Sequence, residues 1–192
     1  VDKVNVEFFR IKPEALPNFL SRWGRASNLD TWEARELLPM AELVYGGRFD
    51  LNPARNTRET LLLPIAGLEP FKQPGVYLAV MREAGSYSYS QPATLFSLSD
   101  IGLSAHRYRD RLDVFTQALE GGKAQSGVQL ELLDGSGALL AEGKTDSAGH
   151  AQLPLPAKAQ VLVAKQDEQT SLLRLNTPAL DLAEFDIAGP KA

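Results

Sequence analysis

The chain of 192 residues contains no cysteine. This absence excludes disulfide bridges, thiolate metal sites, a cysteine nucleophile and a thioester formed from a cysteine side chain. It leaves the cellular compartment open, because many exported proteins also lack cysteine. The chain has two histidines, too few for an ordinary zinc site. We therefore expect neither a metal nor any other cofactor.

Long apolar runs and an excess of basic residues are also missing. The longest apolar runs, VYLAVM and VLVA, have the length of strands, whereas a membrane-spanning helix needs about 20 apolar residues. The net charge of −4 gives no electrostatic footprint for nucleic acid or for an anionic membrane. Hydrophobic residues at 44% and charged residues at 23% are typical of a soluble globular protein. The length suits two domains of roughly 95 residues each.

The start of the chain, VDKVNVEFF, has no initiator methionine, charged leader or apolar signal segment. We therefore expect either a processed product or a piece excised from a longer protein. The trailing end, FDIAGPKA, favours the excised piece.

The second half has a regular pattern of short strands separated by turn signals rich in Gly, Asp and Ser. Its strand-like segments are IGLSAHRY, RLDVFTQAL, VQLELL, ALLAEGKT, HAQLPL, QVLVAK and SLLRLN. Apolar and polar residues alternate along several of them, which is typical of strands with one buried face; the apolar positions include Leu112, Val114, Val128, Leu130, Leu132, Ala151, Leu153 and Leu155. This pattern predicts a seven-stranded antiparallel β-sandwich over residues 100–192.

The first half mixes helical and strand-like patterns. PEALPNFLSRW and DTWEARELL have helical spacing, and Asp30 with Glu33 three residues later forms a capping-box signature. Pro39 ends the second helical segment. The flanking segments, VNVEFFRI, ELVYGGRFDL, TRETLLLPI, GVYLAVMR and ATLFSLS, are strand-like. We predict a smaller β-sandwich over residues 1–99 with a helical insertion near residues 13–38. The fold class is thus mostly β, with two tandem immunoglobulin-like sandwiches.

The stretch LFSLSDIGLSAHRY joins the two halves, and its apolar pattern changes phase. Phe96 and Leu98 are apolar at even positions, whereas Ile101, Leu103 and Ala105 are apolar at odd positions. A single uninterrupted strand would have to exchange its buried face for its solvent face in the middle. We therefore place a domain junction at Ser99 and Asp100, with restricted motion between the domains. A bulge within one strand is the alternative.

Exposed aromatic residues are the main candidates for a contact surface. Tyr87 and Tyr89 share one side of a predicted hairpin loop, GSYSYSQP, and exposed tyrosines often mark interfaces. Covering a sheet edge is the alternative role for this pair. For Trp23 and Trp32 in the helical insertion we favour core packing over ligand contact.

No catalytic, cofactor-binding or metal-binding set is found. Ser104 and His106 share a strand face, but an orienting carboxylate and an oxyanion hole are not evident, and no G-x-S-x-G motif occurs. HRYRDR is interpreted as a hairpin tip rich in salt bridges, with a docking surface for a neighbouring domain as the second choice. TDSAGH lacks calcium-loop spacing and DGSGALLAEG lacks a P-loop lysine. We expect this chain not to be an enzyme.

The run PGVYLAVMREAGSYSYSQPATLFSLSDIGLSAHRYRDRLDVFTQALEGG, followed by GVQLELLDGSGALLAEGKTDSAGHAQL, resembles the N-terminal macroglobulin-like domains of bacterial alpha-2-macroglobulins. The later text LLRLNTPALDLAEFDIAG is similar to the end of such a domain. The resemblance covers most of the chain and is strongest over residues 75–189. Many sandwich modules share the DGSG-to-GHA element by itself, so its combination with LFSLSDIGLSAHRY carries the specificity.

This resemblance implies a function that spacing alone does not give. The family comprises broad-spectrum protease inhibitors of the bacterial periplasm, often lipid-anchored to the inner membrane, which trap a protease after it cleaves a bait region. The chain would then be a structural scaffold fragment without bait region or thioester. Its partners would be neighbouring domains, and proteases only through the full-length protein; a lipid anchor would lie outside the fragment. The alternative function is a cell-envelope β-sandwich that binds a glycan or a protein.

Overall fold

The structure is a computed structural model that describes residues 2–24, 27–52, 60–65 and 67–175. The elements of the first half are β1 (Lys3–Ile11), a 3₁₀ turn (Pro13–Ala15), α1 (Leu16–Trp23), β2 (Asn28–Asp30), α2 (Thr31–Leu37), β3 (Ala41–Asp50), a second 3₁₀ turn (Glu69–Lys72), β4 (Gly75–Glu83) and β5 (Ser90–Leu98). The elements of the second half are β6 (Ile101–Arg107), β7 (Arg111–Ala118), β8 (Gln129–Asp134), β9 (Leu139–Lys144), β10 (His150–Pro154), β11 (Ala159–Gln166) and β12 (Gln169–Arg174). No described helix is long and apolar enough to cross a membrane.

The second half forms two antiparallel sheets, β10-β7-β6 and β12-β11-β8-β9. The predicted alternation is confirmed, because the inward positions are almost completely buried; they are Leu112, Val114, Val128, Leu130, Leu132, Ala151, Leu153 and Leu155. Ile101 of β6 packs in the same core, and its side chain is 1% exposed. The inward faces of the two sheets therefore enclose one core.

The first half contains, within the described residues, one five-stranded sheet with the order β2-β5-β4-β1-β3. The mostly β, antiparallel architecture and the helical insertion are confirmed. A sheet needs a layer on each apolar face, and among the residues that the structure describes no further sheet of the first half supplies either layer. One face packs against α1 and α2. On the other face, Phe8 packs among Leu63, Ile65 and Phe71, and the rings of Phe8 and Phe71 meet edge to face at 4.9 Å.

The capping box predicted for α2 is present. The Asp30 carboxylate accepts hydrogen bonds from the backbone N–H groups of Trp32 and Glu33, both at 2.8 Å. In return, the Glu33 carboxylate accepts the backbone N–H of Asp30 at 2.8 Å. These bonds satisfy N–H groups that have no partner inside the helix, so Asp30 fixes where α2 begins.

Replacing Asp30 with alanine is therefore expected to lower the free energy of unfolding by about 1 kcal/mol, the usual loss for an N-cap. Urea denaturation followed by circular dichroism measures this change. Asp30→Asn is the matched control, since its amide oxygen can still accept the same N–H bonds. Equal stability of the alanine and asparagine variants would contradict the capping role.

The two tryptophans of the insertion behave differently. Trp23 is 3% exposed and packs in the core, as predicted. Core packing of Trp32 was wrong, because this side chain is 65% exposed and carries the guanidinium of Arg35 at 5.2 Å from its ring. Leu37 is the fully buried anchor of α2, and it follows Trp32 by five residues. That spacing places the two side chains about 140° apart around the helix, so Trp32 faces away from the core.

An apolar cluster extends across both halves of the molecule. Phe19 of α1, fully buried, belongs to the same cluster as Leu133 of β8 and Val163 of β11, which are 2% and 0% exposed. Leu20, Val161 and Leu172 pack against its edge. We call this cluster the shared core. The sheet β12-β11-β8-β9 thus has one face in its own sandwich and the other against the helical insertion of the first half.

The tip of the β8–β9 hairpin also meets the insertion. Gly137 has φ +79°, and a Cβ built on it would overlap the backbone carbonyl of Pro17 in the first turn of α1. The carboxylate of Asp134 shapes this turn by accepting the N–H groups of Ser136 and Ala138 at 2.8 and 3.0 Å. The turn at the tip of this hairpin is therefore also a contact between the halves.

Candidate contact surface and domain junction

The tyrosine pair lies in the loop between β4 and β5. Tyr87 is 82% exposed and Tyr89 is 57% exposed. The Tyr89 hydroxyl donates to the second carboxylate oxygen of Asp30 at 3.4 Å. The negative charge of Asp30 is the main cause of a raised pKa for the Tyr89 hydroxyl. The pair is therefore exposed at the N-terminal end of α2, and its role as a contact surface stays a prediction.

The stretch from Leu95 to Tyr108 is not one strand. β5 ends at Leu98 in the five-stranded sheet, and β6 begins at Ile101 in the sheet β10-β7-β6. Both faces of β5 are covered, because Leu95 packs on the shared core and Phe96 on the opposite cluster. The even-numbered apolar positions of β5 therefore did not by themselves identify a single buried face. Ile101 does face the core of the second-half sandwich, as its odd-numbered position predicted. The domain division at residues 99 and 100 stays a prediction.

The side chain of Gln169, from the second half, accepts hydrogen bonds from both junction residues. Gln169 lies at the start of β12, and its side-chain oxygen accepts the backbone N–H of Asp100 at 2.5 Å and the hydroxyl of Ser99 at 3.3 Å. The Ser99 hydroxyl oxygen accepts the N–H of Ile101 at 3.0 Å. The Asp100 carboxylate accepts the N–H of Glu120 at 2.7 Å. Sequence reasoning missed Gln169, because no local signal links residues 69 positions apart.

Replacing Gln169 with leucine is expected to lower the free energy of unfolding by about 1–2 kcal/mol, because a partly buried N–H group then loses its acceptor. Gln166→Leu is the matched control. Its amide donates to the carbonyl of Ser126 at 3.1 Å on the exposed surface, so we expect a change of about 0.5 kcal/mol or less. Chemical denaturation of both variants measures the difference, and similar losses would contradict a special role for Gln169.

The remaining sequence candidates occupy exposed polar positions. Ser104 and His106 lie on the outer face of β6. The TDSAGH segment is a tight turn in which the Asp146 carboxylate accepts the N–H groups of Ala148 and His150 at 2.8 and 3.0 Å. These bonds, that of His150 first, lower the pKa of Asp146. Among the described residues, no group of three or more His, Asp or Glu side chains could hold a metal ion.

Two family models together match nearly the whole chain. The model of the bacterial alpha-2-macroglobulin MG2 domain matches residues 1–96, and that of the bacterial alpha-2-macroglobulin MG3 domain matches residues 98–192. The chain belongs to the bacterial alpha-2-macroglobulin family. The expected relationship is confirmed, and it includes the helical insertion, where the sequence resemblance was weaker.

Individual alpha-2-macroglobulins support the same assignment. The protein from Escherichia coli K12 is 58% identical over 189 residues, which cover 98% of this chain and 11% of that protein. A crystal structure of native Escherichia coli alpha-2-macroglobulin spanning domains NIE-MG1 matches with a TM-score of 0.82 at 57% identity, covering 92% of this chain and 85% of that one. The trypsin-activated Escherichia coli protein matches with a TM-score of 0.70 at 58% identity, covering 98% of this chain and 13% of that one. The chain therefore spans about a tenth of the length of such full-length alpha-2-macroglobulins.

Proposed function

We propose that this chain is a structural scaffold of a bacterial alpha-2-macroglobulin-type protease inhibitor, which traps a protease after bait cleavage. Where such an inhibitor has a thioester formed from a cysteine, that cysteine lies outside these residues, since the chain has none; we infer that the bait region also lies outside them. Its immediate partners are neighbouring domains, and it meets target proteases only as part of the complete inhibitor. The proposal includes the periplasm as its location and an inner-membrane lipid anchor outside these residues.

The observation that supports a scaffold role most directly is the shared core. A protein that changes shape after cleavage needs parts that stay rigid while others move, since packed cores deform little. Phe19 of the helical insertion lies in one buried cluster with Leu133 and Val163 of the second half, and the Gln169 side chain accepts the backbone N–H of Asp100 at the junction. Two domains joined in this way move together as one body.

A domain exchange in a relative tests the proposal. The matching segment of the Escherichia coli alpha-2-macroglobulin, 58% identical, is replaced by this chain, and trapping is measured as protection of a large protein substrate from trypsin. We expect the chimera to trap trypsin as the unmodified inhibitor does. A second chimera carries Phe19→Ala, which we expect to weaken trapping by loosening the scaffold. A correctly folded first chimera without trapping would contradict the proposal.

The isolated chain provides the complementary test. Incubated in excess with trypsin, it is expected neither to slow cleavage of a protein substrate nor to hydrolyse peptides or esters itself. Bovine serum albumin at the same concentration controls for simple substrate competition. Inhibition by the isolated chain beyond this control would contradict a scaffold role, because trapping would then not require the rest of the inhibitor.

A second candidate function is a cell-envelope module that binds a glycan or a protein. It is favoured by one observation, the exposed Tyr87 and Tyr89 beside the carboxylate of Asp30. Aromatic faces next to carboxylates bind sugars in many carbohydrate readers. A glycan array tests this function with the wild-type chain and with the double variant Tyr87→Ala plus Tyr89→Ala. An array without hits, or hits that the double variant retains, would exclude glycan binding through this pair.

A further inference from the structure

The outer face of the sheet β10-β7-β6 carries an exposed aromatic residue where the strand pattern calls for a polar one. Phe115 of β7 is 41% exposed. It pairs with Ser104 on one side and with His150 on the other. Its ring lies 5.6 Å from the ring of His106 and 4.8 Å from the ring of His150. The only two histidines of the chain therefore flank one exposed phenylalanine. We call this arrangement the Phe115 face.

Basic residues border the Phe115 face at the β6–β7 turn. Arg107, Arg109 and Arg111 are all exposed. The Arg111 guanidinium stacks on Tyr108 at 4.3 Å from its ring, and Arg107 donates to the carbonyl of Leu175 at 3.3 Å. The chain as a whole has a net charge of −4, whereas residues 107–113 carry three arginines and two aspartates, Asp110 and Asp113, which is a local excess of one positive charge. Phenylalanine, tyrosine and arginine are enriched at protein interfaces.

One carboxylate lies within the Phe115 face, and it already has partners. Asp113 accepts the side-chain amide of Gln152 at 2.9 Å and lies 3.8 Å from the Arg111 guanidinium. It also lies 3.9 Å from the His150 imidazole, and its side chain is 16% exposed. The carboxylate thus orders the surrounding cations and presents little negative charge to solvent. The face offered to a partner is an apolar ring flanked by two histidines, with three arginines at the β6–β7 turn beyond Asp113.

We propose that the Phe115 face is a docking surface for an acidic protein segment, which binds more tightly when the two histidines are protonated. An apolar side chain of the acidic segment packs on Phe115. The carboxylates of the segment pair with the two histidines beside that ring and with the arginines of the β6–β7 turn. Among the described residues, three charged groups face the histidines. Asp113 pairs with His106 across the strands and lies near His150. Arg111 lies near the same Asp113 carboxylate, and Asp146 lies in the turn before β10. The inference does not depend on protease trapping.

Fluorescence anisotropy with synthetic peptides tests the docking surface. The probe is a labelled peptide of repeated Asp-Phe-Glu-Leu, and the comparison peptide replaces its acids with lysine. Binding is measured at about pH 5.5 and about pH 7.5, the interval in which histidine is the side chain that ordinarily changes charge. We expect the acidic peptide to bind about three- to tenfold more tightly at the lower pH, as one or two exposed ion pairs predict. We expect the lysine peptide to bind at neither pH.

Three variants separate the ring from the charges. Phe115→Ala is expected to weaken binding at both pH values, whereas His106→Gln plus His150→Gln is expected to remove the pH dependence only. Trp32→Ala, which removes an aromatic residue exposed elsewhere, is expected to bind like the wild type. A cooperative thermal unfolding transition above the assay temperature confirms that each variant is folded. Absence of binding at both pH values, equal binding of the two peptides, or pH dependence that persists without the histidines would overturn the inference.

Discussion

Replacing Phe19 with alanine is expected to lower the free energy of unfolding by about 3–5 kcal/mol, the usual loss for a buried phenylalanine. Phe19 is completely buried in the shared core and lies 5.7 Å from the ring of Trp23. Its removal leaves a cavity in the shared core, to which Leu133 and Val163 of the second half also belong. Because both halves contribute side chains to this core, we expect both halves to unfold together at the lower stability. Chemical denaturation followed by tryptophan fluorescence and by far-ultraviolet circular dichroism measures this.

A phenylalanine outside the cores provides the matched control. Phe115→Ala makes the same chemical change on a side chain that is 41% exposed, so we expect a loss of about 1 kcal/mol or less. Both Trp23 and Trp32 lie in the first half, which makes fluorescence a probe of that half, whereas circular dichroism follows all strands. A fluorescence transition that shifts in Phe19→Ala while the dichroism transition does not would contradict a core shared by both halves.

Replacing Gly137 with alanine is expected to cost about 2–5 kcal/mol, from two separate causes. A left-handed backbone costs a residue with a side chain about 1–2 kcal/mol, and forcing an atom into a packed contact costs about 1–3 kcal/mol. Both apply, since Gly137 has φ +79° and its added Cβ would overlap the carbonyl of Pro17. We expect the β8–β9 hairpin to move away from α1. Thermal and urea unfolding measure the loss.

Gly127 allows the two causes to be separated. Its φ is +75°, close to that of Gly137, but a Cβ built on it has no neighbouring atom within 4 Å. Gly127→Ala should therefore show the backbone cost alone, about 1–2 kcal/mol. The additional loss in Gly137→Ala measures the contact between the halves. Equal losses of unfolding free energy in the two variants would mean that the contact between the β8–β9 hairpin tip and α1 does not stabilise the association of the two halves.

Sequence patterns correctly predicted the features that depend on residues close together in the sequence. The alternation along β7, β8 and β10 gave the core of the second sandwich, and Asp30 with Glu33 gave the start of α2. The same reasoning misplaced Trp32, because aromatic residues favour cores on average but the short helix buries Leu37 instead. Composition cannot tell which face of a two-turn helix is covered, since that depends on what packs against it.

The sequence does contain an indication of the contact between the halves, but the search for alternating apolar and polar residues passed over it. VLVA in β11 is a continuous apolar run, which is typical of a strand buried on both faces. Leu162 and Ala164 face the second sandwich, whereas Val161 and Val163 face the shared core. Leu132 and Leu133, adjacent in β8, likewise face opposite cores. The run indicates a second covered face, but it does not identify α1 as the partner, because that pairing is set by tertiary packing.

We infer that the two halves unfold as one cooperative unit, because they share a core. Differential scanning calorimetry of the whole chain tests it most directly. Two-state unfolding requires that the calorimetric and van't Hoff enthalpies agree. We predict a single transition with equal enthalpies for the wild type, and a single transition at lower temperature for Phe19→Ala. Two separate transitions in the wild type, or a van't Hoff enthalpy near half of the calorimetric value, would contradict the claim.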